Sequence, residues 1–135
     1  MSVTYRRDLP TPVVIITWPR IFPDIQVVQS TMESILADSD RPREFGVVSD
    51  WRVSTDAPAV DYVQSFLSLL NSWARHGLRR WATVVPRDST ASFGMGRMVE
   101  IRAKEAGVGY RVFCDYDDAL AWVGTGARSG TRDQR

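Results

Sequence analysis

The chain is short of the residues that most enzyme chemistry uses. Its 135 residues include one cysteine, Cys114, one histidine, His76, and one lysine, Lys104. A single cysteine excludes an internal disulfide and fits a reducing compartment. With one cysteine and one histidine, a zinc site is disfavoured. A Cys–His nucleophile is also disfavoured, because His76 is expected at the end of a helix near the amino ends of the strands and Cys114 at a carboxyl end. Long apolar runs are lacking too. Runs such as Val13 to Ile16 are far too short to cross a bilayer. The opening MSVTYRRDLP has no apolar signal-peptide core, so a cytoplasmic location is the expectation. Charge of one sign is missing as well: 17 basic residues against 16 acidic ones leave +1. That balance argues against a nucleic-acid or membrane-surface binder, which needs a basic excess. The basic residues are almost all arginine, as the codon bias of a GC-rich genome would produce.

What is present is the composition of one globular domain. The apolar fraction is 44%, and a chain this long buries roughly two-thirds of the surface its unfolded form exposes, so it needs no staple. Val3 to Arg7 predicts a short strand, turned by Leu9-Pro10-Thr11-Pro12 into a β-branched strand over Val13 to Trp18. Pro23 suits the first turn of a helix with Ile25, Val28, Met32, Ile35 and Leu36 on its apolar face. Phe45 to Ser49 predicts a buried strand that stops at Asp50. Ser54, Thr55 and Asp56 are candidate N-caps of a second helix, which turns Val63, Phe66, Leu67, Leu70, Trp73 and Ala74 inward and ends at Gly77. Trp81 to Val85 predicts a strand, Ala91 to Ala106 a helix, and Tyr110 to Cys114 the last strand. Asp115 then caps a final helix ending near Val123. Residues 1–123 thus read as one domain and 124–135, without an apolar anchor, as a disordered tail. The expected fold is α/β, a mixed, mostly parallel sheet of about five strands with an N-terminal hairpin and about four helices.

In such sheets the loops at the carboxyl ends of the strands form the working edge. Asp50 there invites comparison with a phosphoacceptor aspartate, but the acidic pair and the lysine of a receiver-type site are missing, and loop ordering explains it better. Asp115-Tyr116-Asp117-Asp118 resembles a phosphatase aspartate pair only superficially, since carboxylates favour any helix N-terminus. Gly94-Met95-Gly96 falls inside a predicted helix, so close backbone packing accounts for it better than a dinucleotide fingerprint. Arg75, Arg79 and Arg80 read as a solvated helix end. Trp51 differs from the other tryptophans, being flanked by charge in the Asp50 loop. It is a candidate partner anchor if exposed, set against a lid packed over the sheet.

The order of elements resembles the STAS fold of anti-sigma-factor antagonists. Leu78 to Val85, then a helix, then Tyr110-Arg111-Val112-Phe113, then Asp117-Asp118-Ala119-Leu120-Ala121-Trp122-Val123 is similar to the STAS-like (SpoIIAA-like) bacterial proteins. The similarity covers roughly residues 3 to 123 and rests mainly on structural motifs. It implies a bacterial partner-binding domain in signalling or regulation, in some members switched by phosphorylation at the start of the helix after the central strand. The serine of that motif would fall near Ala57-Pro58-Ala59, where this chain has no hydroxyl, while Ser54 and Thr55 lie a few residues early. A phosphate at either would meet a helix N-terminus, with Arg52 and Arg87 able to face it.

The leading expectation is therefore a non-enzymatic protein-binding module. Its partner-binding residues are Asp50, Trp51, Arg52, Ser54, Thr55, Asp56 and Arg87, with Ser54 and Thr55 as candidate phosphorylation sites. The partner is another protein or a second copy, with no nucleic acid, no metal and no cofactor. Two alternatives stand beside it. One is a carrier holding a small apolar ligand or lipid between the sheet and the Val63–Phe66–Leu70 helix. The other is a homo-oligomeric scaffold or accessory subunit.

Overall fold

In the computed structural model, the described residues are 1–21, 24–54 and 60–125. Five strands run in sequence order across one sheet: β1 (Ser2–Arg6), β2 (Val13–Thr17), β3 (Phe45–Asp50), β4 (Leu78–Val84) and β5 (Gly109–Phe113). β1 and β2 form the antiparallel hairpin, and every later pairing is parallel. The helices are α1 (Ile25–Ala37), α2 (Val60–Ala74), α3 (Thr90–Arg102) and α4 (Tyr116–Thr125), with a short 3-10 turn at Ala103–Ala106. The α/β architecture is therefore the one the alternating periodicities predict.

Because each parallel strand lies beside its predecessor, right-handed crossovers put the connecting helices on one face. Val14, Ile16, Val47 and Trp81 of the sheet pack there with Val28 and Met32 of α1, Phe66 and Leu70 of α2, and Val99 of α3. The opposite face carries Val13, Ile15, Val48, Ala82 and Val84, covered by Ala119, Trp122 and Val123 of α4. That helix comes very close: a Cβ on Gly46 of β3 would overlap the Val123 side chain. Glycine is needed there.

The ends of the elements follow local chemistry. Asp24 caps α1 by accepting from Val27 N–H at 3.1 Å, while the expected start at Pro23 lies outside the described residues. Ser89 caps α3, accepting from Ser92 N–H. Asp115 caps α4 through Asp118 N–H at 3.0 Å. Gly77, at φ 110°, closes α2 in the conformation that glycine tolerates best. β4 begins at Leu78, three residues before the expected Trp81. α4 runs on to Thr125, with Gly124 buried and its carbonyl accepting from Thr11 N–H at 2.9 Å. The ordered domain thus extends past Val123, and residues 126–135 lie outside the described ones.

Candidate functional site

Strand alternation carries on past the end of β3 and divides the Asp50 loop between the two faces of the sheet. Phe45, Val47 and Trp51 belong to the three-helix core, whereas Val48 packs under α4. Asp50 lies on the α4 side and is buried. Its Oδ1 accepts from Arg52 N–H at 3.0 Å and from Arg52 Nε at 2.9 Å, and its Oδ2 from Arg52 Nη2 at 2.8 Å. The Arg52 guanidinium sits 4.8 Å from the ring centre of Tyr116 at the start of α4. This forked pair orders the loop and holds the carboxylate, which is the loop-ordering role expected of Asp50.

Trp51 and Ser54 point to the other face. Trp51 is 6% exposed and stacks on Trp18, with ring centres 4.9 Å apart and planes at 13°. It is a lid packed over the sheet and not an exposed partner anchor. The cause is its inward register position and the apolar indole partner waiting there. Ser54 is buried too, and its hydroxyl donates to the Pro19 carbonyl at 2.8 Å. That bond ties the loop after β3 to the loop after β2. With its hydroxyl committed to the Pro19 carbonyl, Ser54 is not presented to a kinase in this conformation. Thr55 and Asp56 lie outside the described residues. Arg87 is exposed on the loop after β4. The loop residues therefore do not form one surface.

What Trp51 and Ser54 do line is a pocket between the carboxyl halves of β3 and β4 and the first turns of α2 and α3. Tyr62, Val63 and Phe66 of α2 form one wall, and Ser92, Met95 and Val99 of α3 form the other. Gly96 lets α3 approach β5, since a Cβ there would meet Val112 Cγ2 at 2.6 Å, whereas Gly94 faces open space. The glycine pair is thus half packing device. The floor is a buried hydroxyl network. Ser49 and Thr83 are partners in register across β3 and β4. Ser49 Oγ accepts from Trp18 Nε1 at 2.7 Å. Thr83 Oγ1 accepts from Trp81 Nε1 at 3.2 Å and shares a proton with the Tyr110 hydroxyl at 2.7 Å. The inner volume is about 50 Å³, enough for a few waters where roughly 10–15 Å³ holds one.

Burial pushes the Tyr110 phenol well above its ordinary range, and the Thr83 hydrogen bond offsets this only in part. Tyr62 shifts the same way, first by burial and then by the nearby Tyr110. A raised pKa means the fold holds a proton that the unfolded chain releases once pH passes its ordinary value of 10.0. Stability is therefore expected to be insensitive to these phenols below pH ~9 and to fall above pH ~10, by about 1.4 kcal/mol per pH unit for each retained proton. Urea midpoints between pH 7 and 11.5 check this. A flat profile through that range would show Tyr110 ionising inside the fold.

The other candidates resolve simply. His76 follows α2, before the amino end of β4, with Nδ1 3.0 Å from the Ser72 carbonyl oxygen, while half-buried Cys114 follows β5 at the carboxyl edge. The arginine cluster is dispersed: Arg79 pairs with Glu44 at 2.8 Å, and Arg80 lies over the Trp122 ring. Among the described residues, no three His, Cys, Asp or Glu side chains gather as metal ligands, and no helix is long and apolar enough to cross a membrane. No family model, curated protein or solved structure matches the chain.

Proposed function

We propose that this protein is a non-enzymatic binding domain whose pocket between β3, β4, α2 and α3 takes a small, mainly apolar molecule. The observation that carries the reading is the pocket's position and lining together. It opens at the carboxyl edge of a parallel sheet, where open α/β folds place their ligands, and its aromatic walls surround a few convergent hydroxyls. Among the described lining residues there is no His, Cys, Asp, Glu or Lys side chain, so none of them is a base that could activate its hydroxyls.

Ligand binding is expected to raise the melting temperature and to change the fluorescence of Trp51 and Trp81, which line the pocket. A Ser92→Phe variant puts a ring into the pocket from α3, and should keep its circular dichroism while losing that response. A ligand that stabilises Ser92→Phe as strongly as wild type would place the binding site elsewhere.

A protein partner is the second reading, favoured by the rim of the same edge. Ile21 is 76% exposed and Val53 57% exposed, on the two loops that the Ser54–Pro19 bond ties together. Arg52 and Arg87 are exposed at this edge as well. Partner binding is also what the STAS-like resemblance implies. Capture lost in Val53→Asp but retained in Ser92→Phe would favour the rim over the pocket.

A further inference from the structure

From the pocket's proton inventory we infer that its ligand is a neutral single-ring aromatic carrying one hydrogen-bond-accepting oxygen. The inference rests on the pocket being the binding site and adds the chemical class. Among its described lining residues none is charged. A carboxylate, phosphate or ammonium would lose its hydration there without meeting an opposite charge, which excludes ionised ligands.

The hydroxyl protons say what the ligand must offer. Thr83 and Tyr110 bring two protons and use one between their oxygens. If Thr83 donates, the Tyr110 proton is left over; if Tyr110 donates, the Thr83 proton is. Either way the pair retains one donor, because the Trp81 indole only donates to it. Ser49 also accepts from an indole, that of Trp18, and keeps its own proton. The floor is therefore rich in donors, and an oxygen acceptor on the ligand matches it.

The walls give the shape. Phe66 meets Trp81 and Tyr110 edge-to-face, with ring centres 5.0 and 6.0 Å away at 71° and 70°. Another aromatic edge or face extends this arrangement, which aromatic pairs prefer over parallel sandwiches. The inner volume of about 50 Å³ is below the ~150 Å³ of an apolar cavity that takes benzene. One ring therefore enters only with a wall side chain displaced. Met95, half-buried and unbranched, is the wall residue best suited to turn aside.

The test uses benzene, phenol, benzoate and benzylammonium as probes, on the full chain and on Met95→Ala. Binding is read from the NMR shifts of the Trp81 indole N–H and from melting temperature. Phenol is expected to bind about tenfold more tightly than benzene, the worth of one good hydrogen bond. Benzoate and benzylammonium are expected not to bind. Met95→Ala should tighten both neutral ligands and preserve their order. If benzene and phenol bind equally, or if benzoate binds as well as phenol, the class is wrong while the pocket reading survives. If no probe binds either protein, the pocket reading falls with it.

Discussion

Phe66→Ala is expected to lower unfolding free energy by about 3–5 kcal/mol, the usual cost of emptying a buried aromatic site. Phe66 is 4% exposed and is the ring on which the aromatic cluster converges. It meets Trp73, Trp81 and Tyr110 edge-to-face and stacks with Tyr62 at 6.4 Å. Truncation removes its own burial and these pair terms, each worth about 0.5–1.5 kcal/mol beyond area. Against the ~5–15 kcal/mol stability of a typical domain this is a large fraction. Because Phe66 also forms a pocket wall, the lost volume joins the pocket. Benzene should then restore part of the stability, by about 2.7 kcal/mol when present at 100 times its dissociation constant. Urea unfolding with and without benzene measures both effects. A loss below ~1 kcal/mol would show that the cluster collapses into the gap, and no rescue would show that the gap does not communicate with the pocket.

The sheet was legible because its signals are periodic. Val13 to Ile16 and Phe45 to Val48 are dense, β-branched or aromatic runs, and Val28, Met32 and Ile35 keep helical spacing. The start of β4 was not legible, since Arg79 and Arg80 look like a solvated helix end. In the structure Arg79 is spent on Glu44, and Arg80 lays its guanidinium over Trp122 while donating to that residue's carbonyl at 2.9 Å. The two charges therefore sit within a strand without entering the core.

The site was half legible. Asp50 to Asp56 reads as one loop and so as one surface, but alternation continues beyond β3 and sends Asp50 and Trp51 to opposite faces. That parity was available in the sequence. The sequence carries a second signal: Ser49 and Thr83 are hydroxyl residues at inward positions of otherwise apolar strands. What no local pattern could supply was their register, which makes them neighbours, or the reach of Tyr110 to Thr83 from the next strand. A hydroxyl pair that bridges β4 and β5 beside Ser49 of β3 is a tertiary fact.

Gly46→Ala is expected to destabilise by about 1–3 kcal/mol through overpacking between the sheet and α4. The added methyl would collide with Val123 Cγ1, while the Val123 Cβ lies 3.6 Å away and the Arg80 carbonyl oxygen 3.3 Å away. Neither side yields cheaply. β3 is held by parallel ladders on both edges, and valine in a helix strongly prefers one rotamer. Val123→Ala removes the obstructing methyl, so the two substitutions must couple. Val123→Ala should cost about 1 kcal/mol less in the Gly46→Ala background than alone, within the range found for touching residues. A double-mutant cycle by urea unfolding measures this, and additive losses would mean that α4 shifts as a body to relieve the clash. Ligand response gives an independent reading of the two-faced architecture. Val123 packs on the α4 side, across the sheet from the pocket. Folded Gly46→Ala protein should therefore bind phenol as wild type does, whereas Phe66→Ala, whose pocket is enlarged, should bind it with a changed affinity.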